Sequence, residues 1–198
     1  MASRLNTVSL NAFTTGVVIF CLVWLFAAAL ARVLSVKRDE RIMTYWRRFN
    51  FAAACVCLVM ILCMTIIGRQ RLPERILLLR PFNNIVKAFT YVEYRREKLL
   101  NLYMFIPFGL TLSCAAACRD NERKGKRFFS LGGCPTWGII LAGFSLTFLI
   151  ELTQGIFILG TAETDDIITN TAGTFIGLQM WHMAELLASR YLKRSGSN

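Results

Sequence analysis

Residues 137–173, WGIILAGFSLTFLIELTQGIFILGTAETDDIITNTAG, decide how this chain is read. An apolar run long enough to cross a bilayer carries Glu151 and Gln154 near its end, and Glu163, Asp165, Asp166 and Asn170 follow at once. A carboxylate at bilayer depth costs roughly 2.5–3.5 kcal/mol even on lenient insertion scales, so Glu151 marks a candidate functional site inside a span.

The rest of the chain supplies the membrane context. With 198 residues, 55% of them hydrophobic, and a mean hydropathy of +0.48, it is too apolar for a soluble domain of its size. Crossing a hydrocarbon core of about 30 Å takes about 20 apolar residues. The pattern predicts an all-α, polytopic membrane bundle with transmembrane helices over about 13–34, 50–67, 101–118, 137–159 and 166–188. Pro107 and Gly109 interrupt the third segment, but neighbouring helices can repair the lost backbone bond. The first segment has a signal-peptide alternative, since Ala27-Ala28-Ala29-Leu30-Ala31 resembles a cleavage region. Only Arg4 precedes it and Lys37-Arg38 follow it, which favours an uncleaved helix with its N-terminus outside.

That orientation sends Arg32, Lys37, Arg38, Arg41, Arg47 and Arg48 to the cytoplasm. It sends Arg119, Arg123, Lys124, Lys126 and Arg127 there too, and then Arg190, Lys193 and Arg194. The positive-inside bias is satisfied in three places. The connection over 68–100 disagrees, because it holds Arg69, Arg71, Arg75, Arg80, Lys87, Arg95, Arg96 and Lys98 and yet falls outside. After Arg80-Pro81, apolar Phe82, Ile85, Phe89 and Val92 recur at helical spacing, which predicts one interfacial amphipathic helix with Pro81 in its first turn. Its cations either touch anionic headgroups or form a lid over an anionic ligand. Asn101, Glu151, Gln154, Glu163, Asp165, Asp166 and Asn170 all converge on that same outer side.

Four motifs in order carry a family resemblance: Arg80-Pro81-Phe82-Asn83-Asn84-Ile85, Asn101-Leu-Tyr-Met-Phe-Ile-Pro107-Phe-Gly109, Glu151-Leu-Thr-Gln154, and Asp165-Asp166-Ile-Ile-Thr-Asn170-Thr-Ala-Gly173. Together they resemble the VanZ-like family of bacterial membrane proteins, over roughly residues 76–180. Three segments follow: 1–75, two generic spans with a basic loop; 76–188, the VanZ-like core of interfacial helix and three spans; and 189–198, a basic tail. The family often carries an arginine in the turn before its Asp-Asp pair, where this chain has Gly160-Thr161-Ala162-Glu163. The resemblance implies a multi-pass protein of the bacterial cytoplasmic membrane, in a family named for an association with teicoplanin resistance.

Each candidate residue has a functional and a packing reading. Glu151 and Gln154 share a helix face and can bind a headgroup or pass a proton, or can simply hydrogen-bond neighbouring helices together. Asp165 and Asp166 precede a helix, where aspartates cap free amides. Asp166 and Asn170 share a face, and with Glu163 they offer oxygen ligands of the kind Mg²⁺ or Ca²⁺ takes. Gly173 and Gly177 form a small-xxx-small pair for close packing. His182, beside Trp181, lies too far along its helix to join the site. The cysteines have no zinc-ligand spacing supported by histidines and read as small apolar fillers. No Gly-rich nucleotide loop is present, and the net charge of +11 reflects membrane orientation rather than nucleic-acid binding.

Three classes of function fit. One is a binding protein for an anionic lipid or lipid-linked wall precursor, with Arg80, Asn83, Asn84, Asn101, Glu151, Gln154, Asp165, Asp166 and Asn170 lining an outward pocket. Another is an intramembrane enzyme on a polyprenyl-phosphate-type lipid, with Glu151 as acid or base and Asp165 and Asp166 holding Mg²⁺. The third is a structural subunit whose polar residues only pack helices. Transport is weaker, because no internal repeat is evident. The five-span topology predicts that cysteines introduced as Arg71→Cys and Lys124→Cys react with an impermeant maleimide from opposite faces of the membrane; labelling of both from one face would overturn it.

Overall fold

A computed structural model describes residues 2–37, 41–67, 69, 71–116, 130–131 and 134–195. The cations expected in the cytoplasmic loop, Arg119, Arg123, Lys124, Lys126 and Arg127, lie outside the described residues, as does Arg38. The elements run α1 (Ala2–Lys37), α2 (Arg41–Leu62) with a π-helical turn (Cys63–Ile67), β1 (Leu77–Leu78), α3 (Asn83–Thr90), α4 (Val92–Ala116), β2 (Ser130–Leu131), β3 (Cys134–Pro135), α5 (Thr136–Phe157), β4 (Ala162–Glu163) and α6 (Thr164–Ser195). The all-α class expected from the sequence is present, with two minimal strand pairs added.

Among the described residues, four helices are long and apolar enough to cross a membrane: Asn11–Leu34, Arg41–Ile67, Val92–Ala116 and Thr136–Phe157. α6 falls short of that apolarity although its 32 residues extend about 48 Å. Its position explains the deficit. α6 packs on α1, α3, α4 and α5, so part of its surface meets protein, while Phe175, Ile176, Met183 and Leu187 remain exposed on its outer side. The outer faces of α1, α2 and α5 expose Leu22, Phe26, Val59, Leu141 and Phe148, side chains suited to acyl chains.

Close contact between α4 and α6 is made by glycine. A Cβ at Gly173 would collide with the Leu102 carbonyl, and one at Gly177 with the carbonyl of Ile106 and the amide of Leu110. Gly109, on α4, meets the backbone of Thr174 in the same way. Backbones can approach this closely only where side chains are absent. Pro107 stays within α4, as the sequence reading allowed, and the Thr111 hydroxyl donates to its carbonyl at 2.8 Å. Apolar packing completes the seam, with Leu110, Leu178 and Trp181 in one cluster and Ile61, Phe105 and Ile150 in another. A buried polar link joins the first two helices, where the Trp24 indole donates to Asn50 Oδ1 at 2.7 Å.

Two boundaries correct the expectations. The third span begins at Val92 rather than near 101, so Asn101 lies well inside α4 instead of opening it. The amphipathic helix starts at Asn83, leaving Pro81 ahead of it, and stops at Tyr91, whose extended backbone separates α3 from α4. Phe82 precedes α3 with φ of 65°, a conformation that disfavours continuing a helix through it.

The connection and the α5–α6 turn are knitted together at one end of the bundle. β1 and β4 pair in parallel, Leu77 with Ala162 and Leu78 with Glu163. The Leu72 amide donates to the Ile158 carbonyl at 2.8 Å. Ile158 has φ of 59° and ends α5 with the Leu159 amide bonded to the Gln154 carbonyl, the arrangement in which glycine is the usual residue. The packing at Gly177 predicts that Gly177→Leu lowers stability by about 1–3 kcal/mol or more, read as a fall in the detergent melting temperature; an unchanged melt would contradict the close α4–α6 contact.

Candidate functional site

The polar end is built from carboxyls that have all found partners. A short helix starts with amides that have no intrahelical acceptor, and α3 meets that need with a residue from another element. Asp165 Oδ1 accepts from the Phe82 amide at 2.5 Å. Its Oδ2 accepts from the amides of Asn84 at 2.7 Å and Ile85 at 3.0 Å. Asp165 therefore caps α3, not its own helix as the sequence suggested.

Beside it, α4 delivers Lys98. The ammonium donates to Glu163 Oε2 at 2.7 Å and also pairs with Asp166, and the Lys98 side chain is only 7% exposed. Asn84 Nδ2 donates to the same Glu163 oxygen at 2.9 Å, while Asn101 hydrogen-bonds Asp166. Charge-assisted bonds of this kind are the strong ones. Glu151 closes the ring, because its Oε2 accepts the Glu163 amide at 2.8 Å and so fixes the β4 turn onto α5.

The deeper residues turn elsewhere. Gln154 Nε2 donates to the Thr65 carbonyl at 2.9 Å, inside the π turn that ends the second span, a local deviation found often at functional sites. Asn170 Nδ2 donates to Thr147 Oγ1 at 2.8 Å, and its Oδ1 is buried without a hydrogen-bond partner.

Of the expected site residues, the structure gathers Asn84, Asn101, Glu151, Glu163, Asp165 and Asp166. It leaves Arg80 exposed ahead of α3 and Asn83 exposed at the first position of α3, and points Gln154 and Asn170 into helix contacts. For the proposed metal ligands, the ammonium of Lys98 sits between Glu163 and Asp166, and Asn170 faces Thr147. Among the described residues no group of three His, Cys, Asp or Glu side chains is arranged to hold a metal ion. Lys98 was the key residue missed. Its signal was its place three residues before Asn101, on the same helix face, in a chain that clusters Glu151, Glu163, Asp165 and Asp166 in one later segment.

Buried carboxyls bonded to the Lys98 ammonium or to backbone amides do not invite an anion. The surface that does is a neighbouring cleft of about 270 Å³ whose polar lining is Thr65, Arg69, Arg96, Glu97 and Asn101. Asn101 belongs to both regions, since it lines the cleft and bonds Asp166. The Arg69 guanidinium lies against Gly160, where a Cβ would come within 2.8 Å of its Nη1. The turn that lacks its own arginine thus has one placed over it by another part of the chain, and Gly160 is what leaves room for it.

The fold and this charged end define a helical membrane protein in which an interior ion-pair ring braces a basic cleft. A sequence model of the VanZ/LLP1 family matches residues 49–186, and the chain belongs to that family. It is 35% identical over 96 residues to Protein VanZ of Enterococcus faecium, covering 48% of this chain and 50% of that protein. The chain thus spans about half the length of the curated relative it matches. No solved structure matches it.

Removing Lys98 would strand buried carboxyls, a change that typically costs about 3–5 kcal/mol. Lys98→Met is expected to lower the detergent melting temperature strongly, and adding Glu163→Gln and Asp166→Asn to recover part of the loss. A triple variant no more stable than Lys98→Met would refute the ion-pair account.

Proposed function

We propose that the protein is an outward-facing envelope protein that binds an anionic lipid or lipid-linked wall precursor by its anionic head, and that this binding alters glycopeptide susceptibility. The observation that carries the reading is the cleft that Arg69, Arg96 and Asn101 line together. Guanidinium groups match phosphate geometry with paired donors, and this pair opens at the end of the bundle where the connection and the α5–α6 turn meet. The charge distribution supports an outward orientation, since Arg32, Arg41, Arg47, Arg48, Arg190, Lys193 and Arg194 gather toward the other ends of the spans. The family's association with teicoplanin resistance supports a role at the outer face, where glycopeptides meet wall precursors.

The cleft binds rather than reacts in this reading. Glu151, Glu163, Asp165 and Asp166 each hold a backbone amide or the Lys98 ammonium, and a general acid or base needs a carboxyl within reach of a substrate proton. Glu151 serves as a hydrogen-bond acceptor, a role that glutamine can also fill.

Native mass spectrometry of the detergent-purified protein tests this. An anionic lipid should remain on the wild type and on Glu151→Gln, and be lost from the Arg69→Ala/Arg96→Ala variant. Equal retention on that double variant would overturn the cleft as the binding site.

A further inference from the structure

We infer that the cleft is the head end of a two-part site, in which one hydrocarbon chain of a phosphate-headed lipid threads the apolar groove between α1, α2 and α4. The inference rests on the binding reading above and specifies its ligand class. The groove has a volume of about 280 Å³ and is lined by side chains such as Val17, Phe20, Met60 and Tyr103. Phe13, Met64 and Met104 line both the groove and the arginine cleft. Head space and tail space therefore meet at those three residues.

Physical chemistry selects the occupant. A water in the groove would find too few polar partners to replace its hydrogen bonds. Leaving the groove empty would forfeit dispersion contacts along its walls. A hydrocarbon chain restores them, and three methionines with a cysteine, Met60, Met64, Met104 and Cys57, give walls that adapt to its shape. Gly16 lines the groove on the α1 side, and a Cβ there would meet nothing within 4 Å, so a larger side chain can be introduced at that position without striking the protein's own backbone.

The head must be anionic to lie between Arg69 and Arg96, and it must tolerate Glu97, the carboxylate that shares the cleft with them. Phosphate fits, since its several oxygens can face both guanidiniums and turn away from the carboxylate. Recognition at both ends means that neither a free phosphate nor a neutral lipid satisfies the site.

Binding to the full-length protein in neutral detergent tests the inference with three probes: dodecyl phosphate, dodecanol and inorganic phosphate. Dodecyl phosphate should bind at least about tenfold more tightly than either of the others, and Gly16→Phe should weaken it about tenfold without moving the melting temperature. A dodecyl phosphate with a diazirine on its tail should cross-link to peptides containing Met60, Met64 or Met104. If Gly16→Phe binds like the wild type and the cross-links fall only on the outer face of α5, the groove is not the tail site; loss of binding in Arg69→Ala/Arg96→Ala would then leave the head site standing. If that double variant also binds like the wild type, both readings fail together.

Discussion

The ammonium of Lys98, held between Glu163 and Asp166, is the contact on which the polar end depends. In a medium of low dielectric an unpaired charge is expensive, and a paired one is tolerable only when its remaining positions are also filled. Lys98 comes from α4, Glu163 from β4, Asp166 from α6, and Asn84, on α3, bonds the same Glu163 oxygen. Satisfying one charge thus fixes four elements relative to one another. Glu151 adds α5 through the Glu163 amide, and Asp165 ties the start of α3 to the start of α6.

Charge is separated with depth in this arrangement. The acids lie inside, at 7% exposure or less for Glu151, Glu163, Asp165 and Asp166, whereas Arg69, Arg71, Arg75, Arg80 and Arg95 are exposed. An approaching anion meets a basic rim first and is kept from the interior by the carboxyls behind it. Asn101 stands at the boundary between the two zones, lining the cleft on one side and interacting with Asp166 on the other.

Much of this was legible in the sequence, for reasons that differ by residue. A polar side chain within an apolar run stands out because burial is costly, which marked Glu151, whereas Asp166 was marked by its place at the start of a helix and Asn84 and Asn101 by the motifs of the family resemblance. The spans that face lipid were equally plain. Lys98 was hidden in the charged run Glu93-Tyr-Arg-Arg-Glu-Lys98, where it looked like one more solvated cation of an amphipathic segment. The same run disguised the start of α4. Capping by Asp165 was foreseen as a type of interaction but assigned to the wrong helix, because local spacing cannot show a contact across eighty or so positions of chain, as between Asp165 and Asn84. Arg69 was legible only as one cation of the basic connection, because nothing in the local sequence shows that it reaches Gly160 at the α5–α6 turn.

The central position of α6 has a consequence for how the molecule is made. Of the long helices described, α6 is the least apolar, with Asp165 and Asp166 in its first turn, yet it forms the seam against α4. Partitioning scales would resist such a helix entering hydrocarbon by itself. Its partners, α4 with Lys98 and the glycine-lined face and α5 with Thr147 and Glu151, are already synthesised by then. α6 thus joins the bundle by docking rather than by simple insertion, and α4 and α5, which precede it in the chain, present the surface that receives its acidic start.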